Sequence, residues 1–348
     1  MEQKKALLIR LSSLGDVIFN IPLANILKSN GYKVTWIVGE KGFEVIKNNP
    51  AVDEMIFIPW KKWEKQCWII SFFEYLKLIK HIRSQNFDVA IDSQGLWKSF
   101  IWMYPCGAKR KIVPDSGKEL SRFGGKEKIR NLHSPNIHAV YNYLKFAKHL
   151  GFDCSKVNIT LPIANKDCIT KIDNIMKDIN TSKPIIAIAP ATTWASKHWN
   201  KDNWKQLVKR LEKDYTIILT GTTSEQNLIK YISENKHYDI SGKTNIIELA
   251  ELFRRCDLVI TVDSGSAHLA WATQTPKIIT IFCSTPPVRY APIGSKEKYI
   301  ALSANISCQY CHTKDCNNIK KDYKCTFLPS VEEVENSVKK LFANNIII

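Results

Sequence analysis

The feature that most constrains the fold is an alternation of short apolar runs with amphipathic stretches, which occurs twice along the chain. In the first third, runs such as "ALLIRL", "KVTWIV" and "EMIFI" are separated by stretches with helical spacing, such as "VIFNIPLANILKS". The alternation begins again near residue 184 with "PIIAIAP". Strands that alternate with helices need crossover connections, which favours parallel sheets covered by helices on both faces.

The repetition predicts an α/β protein with two Rossmann-like domains whose parallel sheets face a central cleft. We expect an N-terminal domain at 1–165, a C-terminal domain at 166–325 and a C-terminal helix at 326–348. The helical spacing of "SVEEVENSVKKLF" places Val331, Val334, Val338 and Leu341 on one face. A chain of 348 residues is long enough for two domains that each bury a core.

Charge and hydropathy limit the partners and the compartment. Lys and Arg number 50 against 33 Asp and Glu, a formal charge of +17, so the partners are expected to be anionic. No stretch approaches the ~20 apolar residues of a spanning helix. Arg10, Gly15 and Asp16 interrupt the first apolar run before a signal sequence could form. We therefore expect a cytoplasmic protein.

Polar stretches of unusual composition follow five of the predicted strands. They are "SSLGD", "DSQGLWKS", "ATTWASKHW", "GTTSE" and "DSGSAH". Each alone is also typical of a helix N-cap or a turn. Ligands of open parallel sheets bind beyond the carboxyl ends of the strands, so five such stretches favour a binding function.

The second half contains the elements of an anion site. In "TVDSGSAHLA", the backbone N–H groups of Gly265, Ser266 and Ala267 are expected at the positive end of a helix. Lys197 adds a full positive charge, and Thr192 and Thr193 add hydroxyl donors. Together they indicate a diphosphate site.

Glu225 follows the next predicted strand and suits a pair of ribose hydroxyls, so the expected ligand is a nucleoside diphosphate. The sequence has neither GxxxxGK[ST] nor GxGxxG, which disfavours a P-loop ATPase and a standard nicotinamide enzyme.

Four of these stretches, in this order, resemble one enzyme family. "RLSSLGDVI", "DSQGLWKS", "TTWASKHW" and "VDSGSAHLAWA" together look like the lipopolysaccharide heptosyltransferases of glycosyltransferase family 9. These are inverting enzymes of GT-B fold that use ADP-heptose. The chain is most similar to the heptosyltransferase I group, which adds the first heptose to Kdo-lipid A.

The resemblance implies roles for individual residues on the donor side. Glu225 would hold the ribose, Asp263 would contact the sugar, and Lys197 would neutralise the leaving group. The donor-binding residues implied are Thr192, Thr193, Lys197, Glu225, Asp263, Ser264, Gly265, Ser266 and His268.

The resemblance also implies that Asp16 is the catalytic base. A carboxylate with a pKa near 3.9 is a weak base toward an alcohol, so catalysis would depend on positioning and on stabilisation of the departing diphosphate. The alternative is that Asp16 only caps the helix that follows.

The acceptor implied by the resemblance is an anionic lipid, Kdo-lipid A, reached from the inner face of the cytoplasmic membrane by a peripherally bound enzyme. The acceptor contacts we expect are Ser12, Ser13, Gly15, Lys61, Lys62, Lys65, Gln94 and Arg122. In "WKKWEKQCWIISFF", the side chains of Trp60, Trp63, Trp68 and Phe72 are expected either at a membrane interface or in packing against the sheet.

Four cysteines crowd the tail with C-x2-C-x4-C-x8-C spacing: Cys308, Cys311, Cys316 and Cys325. They suit a structural zinc or iron site, or they are unliganded cytosolic thiols. The chemistry is expected to need no tightly bound cofactor, although a loosely bound magnesium ion is compatible with it. Similar tails occur in heptosyltransferase II and in iron-binding autotransporter heptosyltransferases, so a heptosylated core or a protein serine remains an alternative acceptor.

Two other functions remain alternatives. The charge of +17 is compatible with a nucleic-acid-binding protein. We do not expect nucleic acid as a partner, because the unusual residues gather at strand ends rather than along a basic stripe with interleaved aromatics. A sugar-nucleotide epimerase or hydrolase would consume the donor without an acceptor.

Overall fold

The computed structural model describes residues 3–132, 134–162, 164–316 and 322–343. It divides the chain into two compact units, of which the first ends at Pro162 and the second comprises the residues that follow. The boundary that we expected at 165–166 therefore lies a few residues beyond the observed one.

The first unit is a sheet with helices on its faces. Its strands are β1 (Lys5–Ile9), β2 (Lys33–Gly39), β3 (Glu54–Ile58), β4 (Val89–Asp92), β5 (Arg110–Pro114) and β6 (Glu127–Ile129). Its helices are α1 (Leu14–Ser29), α2 (Glu40–Ile46), α3 (Trp60–Trp63), α4 (Trp68–Ser84), α5 (Trp97–Met103) and α6 (Ala139–His149). Within the described residues the strands form one parallel sheet in the order β3-β2-β1-β4-β5-β6. The strand order reverses between β1 and β4, which is the switch point of a Rossmann-like sheet.

The second unit repeats this topology. Its strands are β7 (Ile185–Ala189), β8 (Thr216–Leu219), β9 (Tyr238–Asp239), β10 (Leu258–Val262), β11 (Ile278–Phe282) and β12 (Tyr299–Ser303). Its helices are α7 (Lys166–Lys177), α8 (Lys201–Leu211), α9 (Gln226–Ser233), α10 (Ile246–Arg254), α11 (Gly265–Ala272), α12 (Pro287–Tyr290) and α13 (Val331–Ala343). In the described part of the chain the sheet order is β12-β11-β10-β7-β8-β9, with the switch point between β7 and β10. The α/β prediction with two Rossmann-like sheets is confirmed.

The central strands are apolar along their whole length because helices cover both faces of the sheets. Every residue of β7, β10 and β11 is buried. Strands of this kind appear in a sequence as continuous apolar runs rather than as alternating patterns. For this reason the continuous apolar run "IIAIA" predicts a buried strand.

The C-terminal helix belongs to the second unit and is not a separate segment. The four residues predicted on one face of α13, Val331, Val334, Val338 and Leu341, are buried in the hydrophobic core of that unit. The same core contains Trp204 and Leu207 of α8. Removal of α13 would therefore expose apolar surface on α8.

Two absences concern the described residues. None of the helices assigned there combines the length and the apolar character that crossing a bilayer requires. All ten cysteines lie in the described ranges, and no disulfide joins any of them.

Candidate active site

Two predicted donor residues meet at the switch point of the second sheet. Lys197 ends a 3-10 turn that follows β7, and Asp263 directly follows β10. The Lys197 Nζ lies 2.7 Å from the Asp263 Oδ2, and both side chains are largely buried. An ion pair therefore spans the place where a Rossmann-like sheet binds its ligand.

The surroundings of Asp263 keep it ionised. The hydroxyl of Thr285 donates a hydrogen bond of 2.6 Å to Oδ2, and the Nε2 of His268 lies 3.7 Å from Oδ1. Burial would raise the pKa of Asp263, but the charges of Lys197 and His268 and the hydrogen bonds outweigh it and lower the pKa. A buried carboxylate that stays charged fixes the position of the ammonium group beside it.

Aromatic rings confine the same ammonium group. The Lys197 Nζ lies 4.6 Å from the ring centroid of Trp194 and 5.7 Å from that of Tyr290. Cation–π contacts are strongest where the cation is poorly solvated, and only 17% of the Lys197 side chain is exposed. The charge is therefore oriented before any ligand arrives.

The N-terminus of α11 lies next to this ion pair. Ser264 is the N-cap, and its hydroxyl accepts a hydrogen bond of 3.3 Å from the backbone N–H of Ser266. Ser264, Gly265 and Ser266 are half-exposed, whereas the helix is buried from Ala267 onward. The positive end of the helix dipole is thus accessible next to Asp263, as anion binding requires.

The other predicted donor residues follow neighbouring strands. The His198 Nε2 hydrogen-bonds the carbonyl oxygen of Thr192 at 2.8 Å, which orders the turn after β7, and Thr193 is exposed. Glu225 follows β8 and accepts a hydrogen bond of 2.6 Å from the Thr222 N–H. Part of its carboxylate is therefore used as a cap, and the contact to ribose stays a prediction.

A group of residues after β11 contributes to the site and was not predicted. The stretch "STPPVRY" follows that strand just as the five recognised stretches follow theirs. It contributes Thr285 and Tyr290 to the surroundings of Lys197. It also contributes Arg289, whose guanidinium lies 5.4 Å from the Tyr290 ring centroid. The position at a strand end was the available signal, but the two prolines resemble those of an ordinary loop.

His312 of the cysteine-rich tail also lies near this site and was not among the predicted site residues. Its ring lies 5.8 Å from that of Tyr290. Burial, and then the charges of Arg289 and Lys197, lower its pKa, so the ring is neutral at pH 7. The His312 Nε2 is buried and has no hydrogen-bond partner within the described part of the chain, which is unusual for a buried polar atom.

Backbone contacts attach the tail to the donor side of the second unit. The Ser196 N–H donates to the Lys314 carbonyl at 3.1 Å, and the His312 N–H donates to the Ser284 carbonyl at 3.0 Å. The hydroxyls of Ser196 and Ser284 lie 2.9 Å apart. Residues 312–314 therefore support the turn that carries Lys197.

The tail cysteines lie close enough to influence one another. Burial, and then the nearby Cys311, Cys308 and Cys316, raise the pKa of the Cys325 thiol to about 11. Among the residues that the structure describes, however, no group of three or more His, Cys, Asp or Glu side chains is arranged to hold a metal ion. The metal expected at the tail therefore stays a prediction.

In the first unit, Asp16 is held at the start of α1. Ser13 is the N-cap, and both its N–H and its hydroxyl donate to the Asp16 Oδ2, at 3.2 Å and 2.8 Å. The Arg10 Nη2 lies 2.6 Å from Oδ2, and the Tyr143 hydroxyl donates to Oδ1 at 2.6 Å. The Asp16 side chain is still 27% exposed. It therefore caps the helix and also remains accessible.

This network lowers the pKa of the Asp16 carboxyl group below that of an ordinary aspartate. Burial would raise its pKa, but the charge of Arg10 and the hydrogen bonds from Tyr143 and Ser13 lower the pKa to about 2. Since this value lies below the ordinary pKa near 4, ionised Asp16 stabilises the fold above about pH 4. That contribution is lost as the pH falls toward 2.

Other predicted acceptor residues surround the switch point of the first sheet. The Gln94 side chain is buried, and its Oε1 accepts a hydrogen bond of 2.8 Å from the Leu11 N–H, so its observed role is to join the ends of β1 and β4. Ser12 is exposed, whereas Gly15 is buried in the first turn of α1.

The predicted basic residues lie on other elements. Lys61 and Lys62 belong to α3, Lys65 follows it, and the Lys62 Nζ lies 2.7 Å from Glu74. The Arg122 guanidinium lies 4.7 Å from the centroid of the neighbouring Phe123 ring, in the 3-10 turn 121–123. The contacts of these residues with an acceptor stay predictions.

The Asp16 network yields a stability prediction. Tyr143→Phe removes a hydrogen bond to a charged group, so the free energy of unfolding at pH 7 should fall by about 1.5–3 kcal/mol. In an Asp16→Asn background the same substitution should cost less, about 1 kcal/mol, because the acceptor is then neutral. Urea unfolding of the four proteins measures the difference.

Tyr141→Phe is the matched control, because Tyr141 lies on the same helix and is 43% exposed. Its substitution should change the free energy of unfolding by less than about 0.5 kcal/mol. If Tyr143→Phe lowered the free energy of unfolding equally in both backgrounds, that result would contradict an ionised Asp16 as the partner of Tyr143.

Comparisons with known proteins establish the family and the fold of this chain. The lipopolysaccharide heptosyltransferase 1 of Campylobacter coli is 26% identical over 362 aligned residues, which cover 98% of this chain and 99% of that protein. The glycosyl transferase family 9 structure from Veillonella parvula superposes with a TM-score of 0.82 at 20% identity and 99% coverage of both chains. E. coli heptosyltransferase WaaC with ADP superposes with a TM-score of 0.70 at 21% identity, over 97% of this chain and 99% of that one. The fold expected from the resemblance is confirmed. The model of glycosyltransferase family 9 (heptosyltransferase) matches residues 75–321, and the chain belongs to that family.

Proposed function

We propose that this chain transfers heptose from ADP-L-glycero-D-manno-heptose to the Kdo region of lipid A, with inversion at the anomeric carbon. Membership of a heptosyltransferase family supports the class of donor. The observation that carries the proposal is the ammonium of Lys197, held 2.7 Å from Asp263 at the switch point of the second sheet.

The donor diphosphate would bind between Lys197 and the N-terminus of α11. Oriented amides and a fixed ammonium group stabilise negative charge as it develops on the leaving group, which is often the largest contribution to catalysis. The accessible Ser264–Ser266 turn and the neutral ring of His312 supply further donors. Glu225 would contact the ribose with the part of its carboxylate that is not needed for its cap.

Asp16 would accept the proton of the acceptor hydroxyl. A pKa of about 2 makes it a weak base, so the proton would move late, after the bond to the diphosphate has largely broken. Arg10 and Tyr143 would act as positioning residues, since they bind both carboxylate oxygens. In this mechanism rate depends on geometry and leaving-group stabilisation more than on basicity.

The acceptor is proposed to be the anionic lipid Kdo-lipid A, reached at the inner face of the cytoplasmic membrane by a peripherally bound enzyme. The relatives named heptosyltransferase 1 support this choice over a heptosylated core or a protein serine. The basic surface formed by Lys61, Lys62 and Lys65 suits the phosphates and carboxylates of such an acceptor.

Incubation with ADP-heptose, with and without Kdo-lipid A, tests the proposal. ADP release by the wild type should depend on Kdo-lipid A. Asp16→Asn should lower turnover by roughly 10²–10⁴-fold and leave ADP binding unchanged. Asp53→Asn is the control, because Asp53 is ion-paired with Lys28 on the surface of the same unit.

Three results would contradict parts of the proposal. Full activity of Asp16→Asn would show that Asp16 is not the catalytic base. Donor consumption without an acceptor would indicate a hydrolase or epimerase. Transfer only to a heptosylated core or to a protein serine would show that the acceptor is not Kdo-lipid A.

The tail is proposed to bind zinc or iron as a structural element, with no tightly held metal needed for transfer. The support is the spacing of the four cysteines in the sequence and the backbone contacts that hold the tail beside the turn of Lys197. When bound, the metal would cross-link a segment that has little core of its own.

Metal analysis of the purified protein tests this second proposal. The wild type should contain about one zinc or iron ion per chain, as a tetrahedral four-thiolate site would. Cys308→Ser with Cys311→Ser should lose the ion and lower the melting temperature. Cys67→Ser, at an exposed cysteine of the first unit, should retain it. A wild-type protein that is active and free of metal would refute the site.

A further inference from the structure

The first turns of α4 carry an unusual density of exposed apolar side chains. The large apolar residues exposed there, which we call the α4 surface, are Trp68, Ile69, Ile70, Phe72, Phe73 and Leu76. Trp68 is 74% exposed and Phe73 64%. Within the described structure, the only buried residues of the helix are Ile79 and Ile82. Isolated exposed apolar residues are ordinary, but a contiguous group marks an interaction site.

Most of the α4 surface lies away from the side of the helix that faces its own core. Trp68 and Phe72 lie in line with the core-facing residues further along the helix, and both are nevertheless exposed. The residues that pack on the core of the first unit have i, i+3, i+4, i+7 spacing: Tyr75, Leu78, Ile79 and Ile82. The Tyr75 hydroxyl fixes this side by donating to the Ile101 carbonyl at 2.9 Å. At 100° per residue, Ile69, Phe73 and Leu76 lie on the opposite side, where a surface helix normally carries polar residues.

Positive charge borders the α4 surface on both sides. Lys61, Lys62 and Lys65 precede it, Lys77 directly follows it, and Lys80 lies about one turn beyond it. Residues 60–83 contain six Lys and Arg against two Glu, a surplus of four positive charges.

The acidic residue nearest the α4 surface is already paired. The Glu74 carboxylate accepts hydrogen bonds from the Lys62 Nζ at 2.7 Å and from the Trp63 Nε1 at 2.6 Å. The surroundings of the exposed apolar side chains are therefore basic, and they complement an anionic partner.

The order of strands and helices places the α4 surface near the carboxyl ends of the strands of the first sheet. The helix is part of the crossover from β3 to β4, so its N-terminus lies near the carboxyl ends of the strands. Asp16 follows β1 at the same edge. A partner bound at the α4 surface would lie on the side of this unit that carries Asp16.

We propose that the α4 surface inserts into the interface of an anionic lipid bilayer. The apolar side chains would reach the boundary of the acyl chains, and the bordering lysines would contact lipid phosphates. The inference rests on the proposed function only in that a lipid acceptor requires the enzyme to reach a membrane.

The composition favours a bilayer over a protein partner. Trp and Phe beside Lys are typical of segments that lie in the headgroup region. A second copy of the chain would bring two surfaces of surplus +4 together, and like charges repel. Both alternatives are outcomes of the test below.

Vesicle sedimentation without any acceptor tests the surface independently of catalysis. The wild type should bind phosphatidylcholine vesicles that contain phosphatidylglycerol, and should bind less to phosphatidylcholine alone or at high salt. Ile69→Ser with Phe73→Ser should lower partitioning onto the anionic vesicles at least about tenfold. Both side chains point to solvent, so circular dichroism and the melting temperature should not change.

Phe327→Ser is the matched control, because Phe327 is 53% exposed but lies in the second unit. It should bind vesicles like the wild type. Equal binding by the Ile69/Phe73 variant, or no binding by the wild type, would overturn the proposal. So would a lipid-free wild-type dimer that the variant abolishes, or a vesicle-independent protein partner that it loses.

A transfer assay separates this inference from the proposed function. With Kdo-lipid A in vesicles, the Ile69/Phe73 variant should be at least about tenfold slower than the wild type, in line with its lost binding. With a delipidated acceptor the two should be equal. Vesicle binding without any heptose transfer would refute the proposed function alone, and equal rates on vesicles would refute the α4 surface alone.

Discussion

The ion pair between Lys197 and Asp263 is the interaction on which the donor side depends. It joins the segments after β7 and β10, the two strands where the order of the second sheet reverses. The loss of one member would leave the other charged and largely buried, which costs about 3–5 kcal/mol. Rings of Trp194 and Tyr290 on Lys197, and the Thr285 hydroxyl on Asp263, keep the pair in one arrangement. A site of this kind is preorganised for an anion, because the cation does not need to be ordered when the ligand binds.

Much of the fold and the centre of the site could be predicted from short-range sequence patterns. Apolar runs without alternation identified the buried central strands, and the spacing of "SVEEVENSVKKLF" identified the buried face of α13. Polar stretches at strand ends located Lys197 and Asp263, since parallel strands bring their carboxyl ends to one edge. The sequence left open whether the tryptophans of "WKKWEKQCWIISFF" pack against the sheet or lie at a membrane interface. Trp63 stacks on the buried Trp102, whereas Trp68 is exposed.

The features that could not be predicted depend on long-range contacts or on polar elements. Arg10 was taken as an interruption of an apolar run, and it becomes a partner of Asp16 only because the fold buries it. Tyr143 reaches Asp16 across 127 positions of sequence. Helix α7 has no apolar run that marks it in the sequence, because Ile172 is its only buried residue in the described structure. Strands β5 and β6 are short and lie in a segment where basic residues obscure the pattern.

Calorimetric binding of ADP and of adenosine to Lys197→Met tests the central claim most directly. If Lys197 is the fixed cation for the diphosphate, ADP should bind at least about tenfold more weakly, the loss expected for one charge-assisted contact, and adenosine should bind as in the wild type. Lys205→Met is the control, because Lys205 also pairs with a carboxylate and lies over an aromatic ring; it should change neither affinity. Unchanged ADP binding by Lys197→Met, or equal losses for ADP and adenosine, would contradict the account.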